Sequence, residues 1–176
     1  MSPEKPKILL TGMPGCGKTT AVMRIIENFD PKKMSGFYTQ EIRRGGNREG
    51  FKWRCLDGRE GTLAHINIKG QAKVGRYGVD IEGFEKLVVP VLEADAELIV
   101  IDEIGKMECF SEKFTAVVRK LFESDKAVLA TVALKGADLI SEVKEFANVK
   151  IFNLSRQNCD EVVSEILKLF FFLKGR

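Results

Sequence analysis

The stretch Ile8–Thr19 reads ILLTGMPGCGKT and decides the fold of the chain. Its apolar start is typical of a short buried strand, and its second part, Gly12–Thr19, fits the pattern G-x-x-x-x-G-K-[ST] at every fixed position. The next segment, Thr19–Phe29, has apolar residues at helical spacing and ends before an Asp-Pro pair. A strand, a glycine-rich turn and a helix in this order predict a phosphate-binding loop.

The residue types in Gly12–Thr19 suit a triphosphate. Glycines let the backbone curl until successive N–H groups point at phosphate oxygens, and the start of the helix adds a positive dipole end. We expect Lys18 to reach the β- and γ-phosphates and the Thr19 hydroxyl to bind Mg²⁺. The alternative is a glycine turn that binds nothing, which would require the whole pattern to arise by chance between a strand and a helix.

Apolar strands and helices alternate along the rest of the chain. The predicted strands are continuous apolar runs, at Leu98–Ile101, Ala127–Val132 and Val149–Phe152. Helical periodicity marks the segments Phe84–Leu92, Phe114–Phe122 and Val162–Phe170. We expect Pro90 to interrupt the first of these helices. This alternation predicts an α/β fold with a mainly parallel central sheet and helices on both faces.

The segment of about residues 36–60 departs from this plan. Strand-like pieces flank the turn signal Gly45-Gly46-Asn47, which predicts an inserted antiparallel hairpin. Basic residues alternate there with aromatic ones, a pattern that also suits single-stranded nucleic acid. Acidic residues in the same segment favour the alternative, a strand pair with one packed and one solvated face. A third interpretation brings Arg43 or Arg44 close to the triphosphate.

Length and composition limit the class of protein. The chain has 176 residues, 44% hydrophobic and 30% charged, which predicts one globular domain over residues 1–176. A net charge of +3 is too small to indicate a nucleic acid or a membrane surface as a partner, and no apolar run approaches the roughly 20 residues of a membrane span. Four well-separated cysteines and the lack of a signal-peptide core predict a reduced, cytoplasmic protein.

A second motif follows the apolar strand Leu98–Ile101, which ends in Asp102 and Glu103. Ligands bind at the carboxyl edge of the sheet in open α/β folds, so we expect Asp102 to bind Mg²⁺ opposite Thr19. Glu103 has the chemistry to accept a proton from the water that attacks a γ-phosphate. The alternative is a pair of solvated acids at a strand end.

Two further residues have competing interpretations. Thr131 ends the next buried strand and either holds the attacking water or touches the γ-phosphate, or it is an ordinary β-branched strand residue. Lys106 follows Gly105 and either stabilises the charge of the transition state or is an exposed lysine near a helix start. We include Lys106 with Glu103 and Lys18 as the predicted catalytic residues.

The chain resembles the nucleoside-triphosphatase family that was first described from thermophiles and that includes the cancer-related nucleoside-triphosphatases. The resemblance covers nearly the whole chain. Besides the phosphate loop, it rests on short strings: GFYT at 36–39, GG at 45–46, GF at 50–51, VGRY at 74–77 and IDEIGKME at 101–108, followed by Ser111 and Phe114. The last string is much more specific than an acidic pair alone.

The resemblance implies a P-loop domain with a three-layer, RecA-like core. It also implies slow, Mg²⁺-dependent hydrolysis of ATP, GTP, CTP and UTP or TTP with little base selectivity. The family has an Asn-Arg pair near the base; here Asn158 is followed by Cys159, which leaves Arg156 as the candidate for stacking on the base. The predicted nucleotide-binding residues are Gly12, Met13, Pro14, Gly15, Cys16, Gly17, Lys18, Thr19, Thr20, Ile99, Val100, Ile101, Asp102, Glu103, Ile104, Gly105, Lys106, Arg156 and Asn158.

Two other functions remain open. The same loop serves kinases for nucleosides, nucleotides or other small molecules, although Glu103 favours the activation of water. The basic hairpin would suit an ATPase stimulated by nucleic acid, which is the weakest of the three interpretations. A nucleoside triphosphate is the expected partner, nucleic acid and membranes are not, and a monomer is the expected state. The apolar run Leu169–Leu173 gives a weak dimer as the alternative.

Overall fold

A computed structural model describes residues 4–171, which form one mixed sheet with helices on both of its faces. The strands are β1 (Lys7–Thr11), β2 (Met34–Arg44), β3 (Asn47–Cys55), β4 (Glu60–His65), β5 (Lys73–Val74), β6 (Tyr77–Val79), β7 (Leu98–Ile104), β8 (Ala127–Val132) and β9 (Val149–Asn153). The helices are α1 (Lys18–Ile26), α2 (Ile81–Leu92), α3 (Glu112–Glu123), α4 (Leu139–Glu142) and α5 (Cys159–Leu169).

The strand order of the sheet is β5-β6-β4-β3-β2-β7-β8-β1-β9. From β2 to β9 neighbouring strands are parallel, as the sequence predicts, and we call these five strands the parallel half. From β5 to β2 they are antiparallel, and we call this the antiparallel half. The prediction of a mainly parallel sheet therefore describes one half only. Tight turns reverse the chain between β2 and α2, where no helix provides a parallel crossover.

The predicted hairpin is only part of the antiparallel half. β2 and β3 pair around the turn Gly45-Gly46, whose positive φ angles of 55° and 81° suit a two-residue connection. β4, β6 and β5 continue the same ladder. The first residues of β2 pair in parallel with β7, so β2 belongs to both halves. The segment is thus continuous with the central sheet and not a separate insertion.

Alternate side chains of the central strands enter two apolar cores. In β1, Leu9 packs in the core that α2 and α3 cover, whereas Ile8 and Leu10 pack in the core that α1 and α5 cover. Because β1, β7 and β8 are buried on both faces, their sequences are continuous apolar runs.

Helix α2 continues through Pro90, contrary to the prediction. Asp80 caps its start by accepting a hydrogen bond from the N–H of Gly83, at 3.0 Å, and the helix ends at Leu92. Pro90 lies in the last turn of α2 and is exposed. Because proline has no N–H, the carbonyl of Lys86, which is four residues earlier and also exposed, receives no hydrogen bond within the helix. Water can replace that partner at an exposed position, so the proline is tolerated.

The C-terminal apolar run lies only partly within the described residues. Phe170 is fully buried and packs edge-on against Phe29, with ring centroids 5.9 Å apart, whereas Phe171 is 74% exposed. Phe172 and Leu173 lie outside the described residues, so the dimer alternative stays a prediction. Across residues 4–171, no helix combines the length and the apolar character needed to cross a membrane.

Gly36 lets β2 lie against β7. Its φ is +136°, and a Cβ on this residue would lie 1.9 Å from the carbonyl oxygen of Val100. We expect Gly36→Ala to lower the free energy of unfolding by at least about 3 kcal/mol, because the added Cβ clashes with the backbone of the paired strand.

Gly58→Ala is the matched control: its φ is +93°, but no atom lies within 4 Å of the added Cβ. There we expect only the left-handed backbone cost of about 1–2 kcal/mol. Urea denaturation measures the free energy of unfolding of both variants. An equal decrease in Gly36→Ala and Gly58→Ala would contradict the prediction.

Candidate functional site

The phosphate loop of residues 12–17 joins the carboxyl end of β1 to the start of α1. Gly12 packs this loop against the segment after β9. A Cβ on Gly12 would lie 2.5 Å from the carbonyl oxygen of Leu154 and 2.8 Å from Cys16 Sγ. Its φ of +156° is also one that L side chains rarely adopt. The first fixed glycine of the motif is therefore required by the packing of the loop.

The Lys18 side chain folds back over the loop. Its Nζ donates hydrogen bonds to the carbonyl oxygens of Gly12 and Met13, at 2.9 and 3.3 Å. The ammonium group is thereby held beside the loop at the start of α1, where the helix dipole adds partial positive charge. This combination attracts an anion such as a triphosphate.

Asp102, at the end of β7, contacts α1 and β8 at once. Its Oδ2 accepts a hydrogen bond from Thr19 Oγ1 at 2.7 Å, and its Oδ1 accepts one from Thr131 Oγ1 at 2.6 Å. The residue is only 2% exposed. Burial raises the pKa of Asp102, and the two hydroxyl bonds and the charge of Lys18 oppose this shift only in part. Thr131 is fully buried and uses its hydroxyl to hold Asp102.

Glu103 lies beside Asp102 at the edge of a cleft that the phosphate loop also lines. Burial and the neighbouring Asp102 carboxylate raise the pKa of Glu103, and the Lys18 ammonium lowers it by less. The pairing of β7 with β8 is irregular between Ile101 and Ile104. Both acids therefore lie where the regular ladder is interrupted, an arrangement that is common beside active sites.

Glu108 is a third acidic residue at this position, for which no role was predicted. A Cβ on Gly105 would lie 2.7 Å from Glu103 Oε1 and 2.9 Å from Glu108 Oε2, so both carboxyls lie against the same glycine. Burial, together with the charge of Glu103, raises the pKa of Glu108 well above its ordinary value. The missing side chain at Gly105 leaves the space that the two carboxyls occupy.

A cleft of about 490 Å³ brings these residues together, a size typical of small-molecule sites. The phosphate loop and the acidic motif form one end, with Lys18, Thr19 and Glu103 among the lining residues. Residues of the antiparallel half form the opposite wall: Thr39, Gln40, Glu41, Arg48, Phe51, Leu63 and Val74. The cleft therefore lies between the parallel half and the antiparallel half of the same sheet.

Lys106, predicted as a catalytic cation, lines this cleft and is exposed. Within the described part of the chain it has no hydrogen-bond or ion-pair partner, so its charge is available to a ligand. Arg43 and Arg44 lie next to the hairpin turn and do not line the cleft. Arg43 instead donates to Glu41 and to the carbonyl of Gly46. The structure does not bring Arg43 or Arg44 to the phosphate loop.

The buried residues of β7 support the site from within the sheet. The side chains of residues 99–101 and of Ile104 are fully buried. They expose no surface to the cleft, and they form the strand that carries Asp102 and Glu103. In contrast, Met13 of the loop is 65% exposed, and Thr20 is exposed as well.

Arg156 and Asn158 lie between β9 and α5. Arg156 Nη2 donates a hydrogen bond to the carbonyl oxygen of Gly15 at 3.3 Å, which brings its guanidinium beside the phosphate loop. Asn158 Oδ1 accepts from the N–H of Ser155 at 2.8 Å, and its Nδ2 donates to the carbonyl of Asn153 at 2.9 Å. Asn158 therefore orders the segment that carries Arg156.

Glu41, Arg48 and Glu108 are charged residues of the cleft that the sequence patterns did not assign to the site. Glu41 and Arg48 reach the cleft through the pairing of β2 with β3, and Glu108 reaches it through the turn after β7. Glu41 lies just after the string GFYT, Arg48 lies between GG and GF, and Glu108 ends IDEIGKME. These segments carry the family resemblance, but no spacing rule assigns chemistry to the three positions.

Known proteins resemble the chain over almost its whole length. The NTPase family model matches residues 7–167. The chain is 41% identical over 175 residues to nucleoside-triphosphatase THEP1 of Thermotoga sp. (strain RQ2), which covers 96% of this chain and 98% of that protein. It is 36% identical over 178 residues to the cancer-related nucleoside-triphosphatase of Homo sapiens, covering 91% and 94%. The crystal structure of THEP1 from the hyperthermophile Aquifex aeolicus matches with a TM-score of 0.85 at 35% identity, over 93% of this chain and 98% of that one.

The buried Glu108 makes stability depend on pH. Because its pKa is raised on folding, the folded protein binds more protons than the unfolded chain above pH 4.5, the ordinary pKa of the group. Stability is therefore lost as the pH rises towards the folded-state pKa, by up to about 1.4 kcal/mol for each pH unit. Glu108→Gln imitates the protonated acid and removes this loss.

We expect Glu108→Gln to be more stable than the unaltered protein at about pH 8, with the difference shrinking towards about pH 5. Urea denaturation at a series of pH values, without nucleotide or metal, measures it. Glu123→Gln, which changes an exposed carboxylate of α3, serves as the control without such a trend. A difference between Glu108→Gln and the unaltered protein that does not change with pH would contradict the prediction.

Proposed function

The chain belongs to the NTPase family, and on that basis we propose that it hydrolyses nucleoside triphosphates to nucleoside diphosphate and phosphate. ATP, GTP, CTP and UTP or TTP are the proposed substrates, with slow turnover. The observation that carries the proposal is the hydrogen bond between Thr19 and Asp102, because it holds the acidic motif of β7 directly against the phosphate loop.

Glu103 is the proposed general base. It lines the same cleft as Lys18 and Thr19, where the γ-phosphate would lie. A water molecule attacks the γ-phosphorus, its proton goes to the Glu103 carboxylate, and the bond from the γ-phosphorus to the bridging oxygen breaks to release the diphosphate. The N–H groups of the loop, Lys18 and Lys106 stabilise the charge on the phosphate oxygens.

Mg²⁺ is the proposed metal, held by Thr19 and Asp102. Hydroxyl and carboxylate oxygens are the donors that Mg²⁺ prefers, and one or two protein groups together with substrate phosphates are its usual ligands. Across residues 4–171, no group of three or more His, Cys, Asp or Glu side chains forms a metal site of its own. With a hydroxyl and a carboxylate only 2.7 Å apart, Thr19 and Asp102 fit an ion that arrives with the triphosphate, and the bound ion would neutralise charge on the β- and γ-phosphates.

Nucleoside triphosphates rather than nucleic acid are the proposed partner of the basic hairpin segment. Most of its cations are already paired with acidic neighbours. Glu41 pairs with Arg43 and Arg48, and Asp57 pairs with Arg59. Lys52 and Arg54 share Glu60 in the same way. Paired charges release fewer counterions from a polymer, so this surface gives little drive for binding nucleic acid.

We also propose a three-layer, RecA-like arrangement for the parallel half. Helices cover both of its faces, and β8 lies between β1, which leads into the phosphate loop, and β7, which carries the acidic motif. A single domain over residues 1–176, a monomeric state and a cytoplasmic location belong to the same proposal. The common sheet supports the first, and four cysteines present as free thiols suit a reducing compartment.

Replacing the proposed base tests the reaction. We expect Glu103→Gln to lower kcat for phosphate release from MgATP at least about a hundredfold, because the amide cannot accept the proton. Binding of a non-hydrolysable ATP analogue, measured by calorimetry, should survive. Glu123→Gln, outside the cleft, should keep the kcat of the unaltered enzyme. Unchanged turnover in Glu103→Gln would remove this residue from the mechanism.

Arg156 is proposed to stack on the base, and because a planar guanidinium packs on any base, this role suits the proposed low base selectivity. We expect Arg156→Ala to raise KM about two- to fivefold for ATP, GTP, CTP and UTP alike, with kcat unchanged. Arg59→Ala, which changes a paired arginine outside the cleft, is the control. A selective loss for one nucleotide would contradict the stacking role.

A further inference from the structure

We propose that Arg48 is a catalytic residue that contacts the γ-phosphate and stabilises its charge during hydrolysis; this inference rests on the proposed function. Arg48 belongs to β3 of the antiparallel half, yet it lines the same cleft as Lys18 and Glu103. It is the arginine that the opposite wall presents to the phosphate loop.

The reaction needs positive charge on this side of the phosphate. In phosphoryl transfer, charge is spread over the equatorial oxygens, and groups already in position stabilise it best. Lys18 and the loop N–H groups approach from the side of β1 and α1. Arg48 stands across the cleft from them, so its guanidinium would contact oxygens that these groups leave open.

The guanidinium of Arg48 is held in a defined orientation. Its Nε donates to the Tyr77 hydroxyl at 3.0 Å, and its Nη1 donates to Glu41 Oε1 at 3.0 Å. It also lies over the rings of Phe51 and Tyr77, at 5.1 and 5.6 Å from their centroids. Within residues 4–171, its Nη2 has no hydrogen-bond acceptor, so one edge of the group is left for a ligand.

The contact with Glu41 is a resting position that a phosphate can compete for. Glu41 accepts hydrogen bonds from both Arg43 and Arg48, so one carboxylate is shared by two cations and the cluster keeps a net positive charge. The Arg48 side chain is 42% exposed, and ion pairs with that exposure are weak. A phosphate oxygen offers Arg48 a bond that is charge-assisted in the same way, and a phosphate carries more negative charge than the Glu41 carboxylate that Arg43 already shares.

Arg48 fits this role better than the other cations near the cleft. Arg43 and Arg44 do not line it. Lys106 does, but an ammonium is a point charge, whereas the planar fork of Arg48 can bond two phosphate oxygens at once. Arg48 stays protonated throughout: the water oxygen bonds to phosphorus, its proton goes to Glu103, and the diphosphate leaves.

Phosphate release from MgATP by Arg48→Ala tests the proposal. We expect kcat to fall at least about a hundredfold, while the affinity for a non-hydrolysable ATP analogue changes less than about fivefold. Guanidinium chloride, at concentrations far below those that unfold the protein, should restore part of the lost kcat in this variant and not in Glu103→Gln. Arg54→Ala is the matched control, since Arg54 also belongs to β3 and pairs with one carboxylate, but lies outside the cleft.

Arg48→Met separates charge from packing, because it keeps an unbranched stem against Phe51 and Tyr77 without the guanidinium. If Arg48→Ala fails to fold, the kcat of Arg48→Met tests whether the guanidinium is needed for turnover. A kcat within about threefold of the unaltered enzyme in either folded variant, or a loss that appears only in nucleotide affinity, would overturn the role of Arg48. If Glu103→Gln still abolishes turnover in that case, the proposed function stands and only this inference fails.

Discussion

One buried carboxylate holds the two motifs of the site together. Asp102 accepts hydrogen bonds from Thr19 at the start of α1 and from Thr131 in β8. A buried charge without such partners is strongly destabilising, so the positions of α1, β7 and β8 relative to one another are constrained by the need to satisfy it. The position of Glu103, the next residue along β7, follows from the same contact.

The cleft is formed by two halves of one sheet that differ in construction. The parallel half supplies the phosphate loop and the acidic motif, which strand–loop–helix connections bring to a common edge. The antiparallel half supplies the opposite wall, where Glu41, Phe51 and Tyr77 hold Arg48. Of the arginines in this half, Arg48 lines the cleft, whereas Arg43 and Arg59 lie outside it and are paired with carboxylates.

Local sequence patterns predicted the parallel half and both motifs, because strand, loop and helix follow one another within a few residues. The family resemblance is confirmed by the NTPase model and by relatives that span nearly the whole chain. The short strands β5 and β6 escaped prediction because only pairing with neighbours defines them, and Pro90 was misjudged because its exposed position removes the usual cost. Arg48 reaches the cleft through the register between β2 and β3, and Glu108 reaches it through the turn after β7. The spacing of residues along the sequence predicts neither arrangement.

Strand β2 gives the cleft a particular mechanical character. Its first residues are bonded to β7, beside Asp102 and Glu103, and its later residues are bonded to β3, which carries Arg48. The two walls of the cleft are thus parts of one continuous hydrogen-bonded sheet, so neither wall can move as a body independent of the other. A change in the separation of the two walls therefore requires bending of one hydrogen-bonded sheet, whereas the side chains at the rim can reorient without breaking any strand pairing.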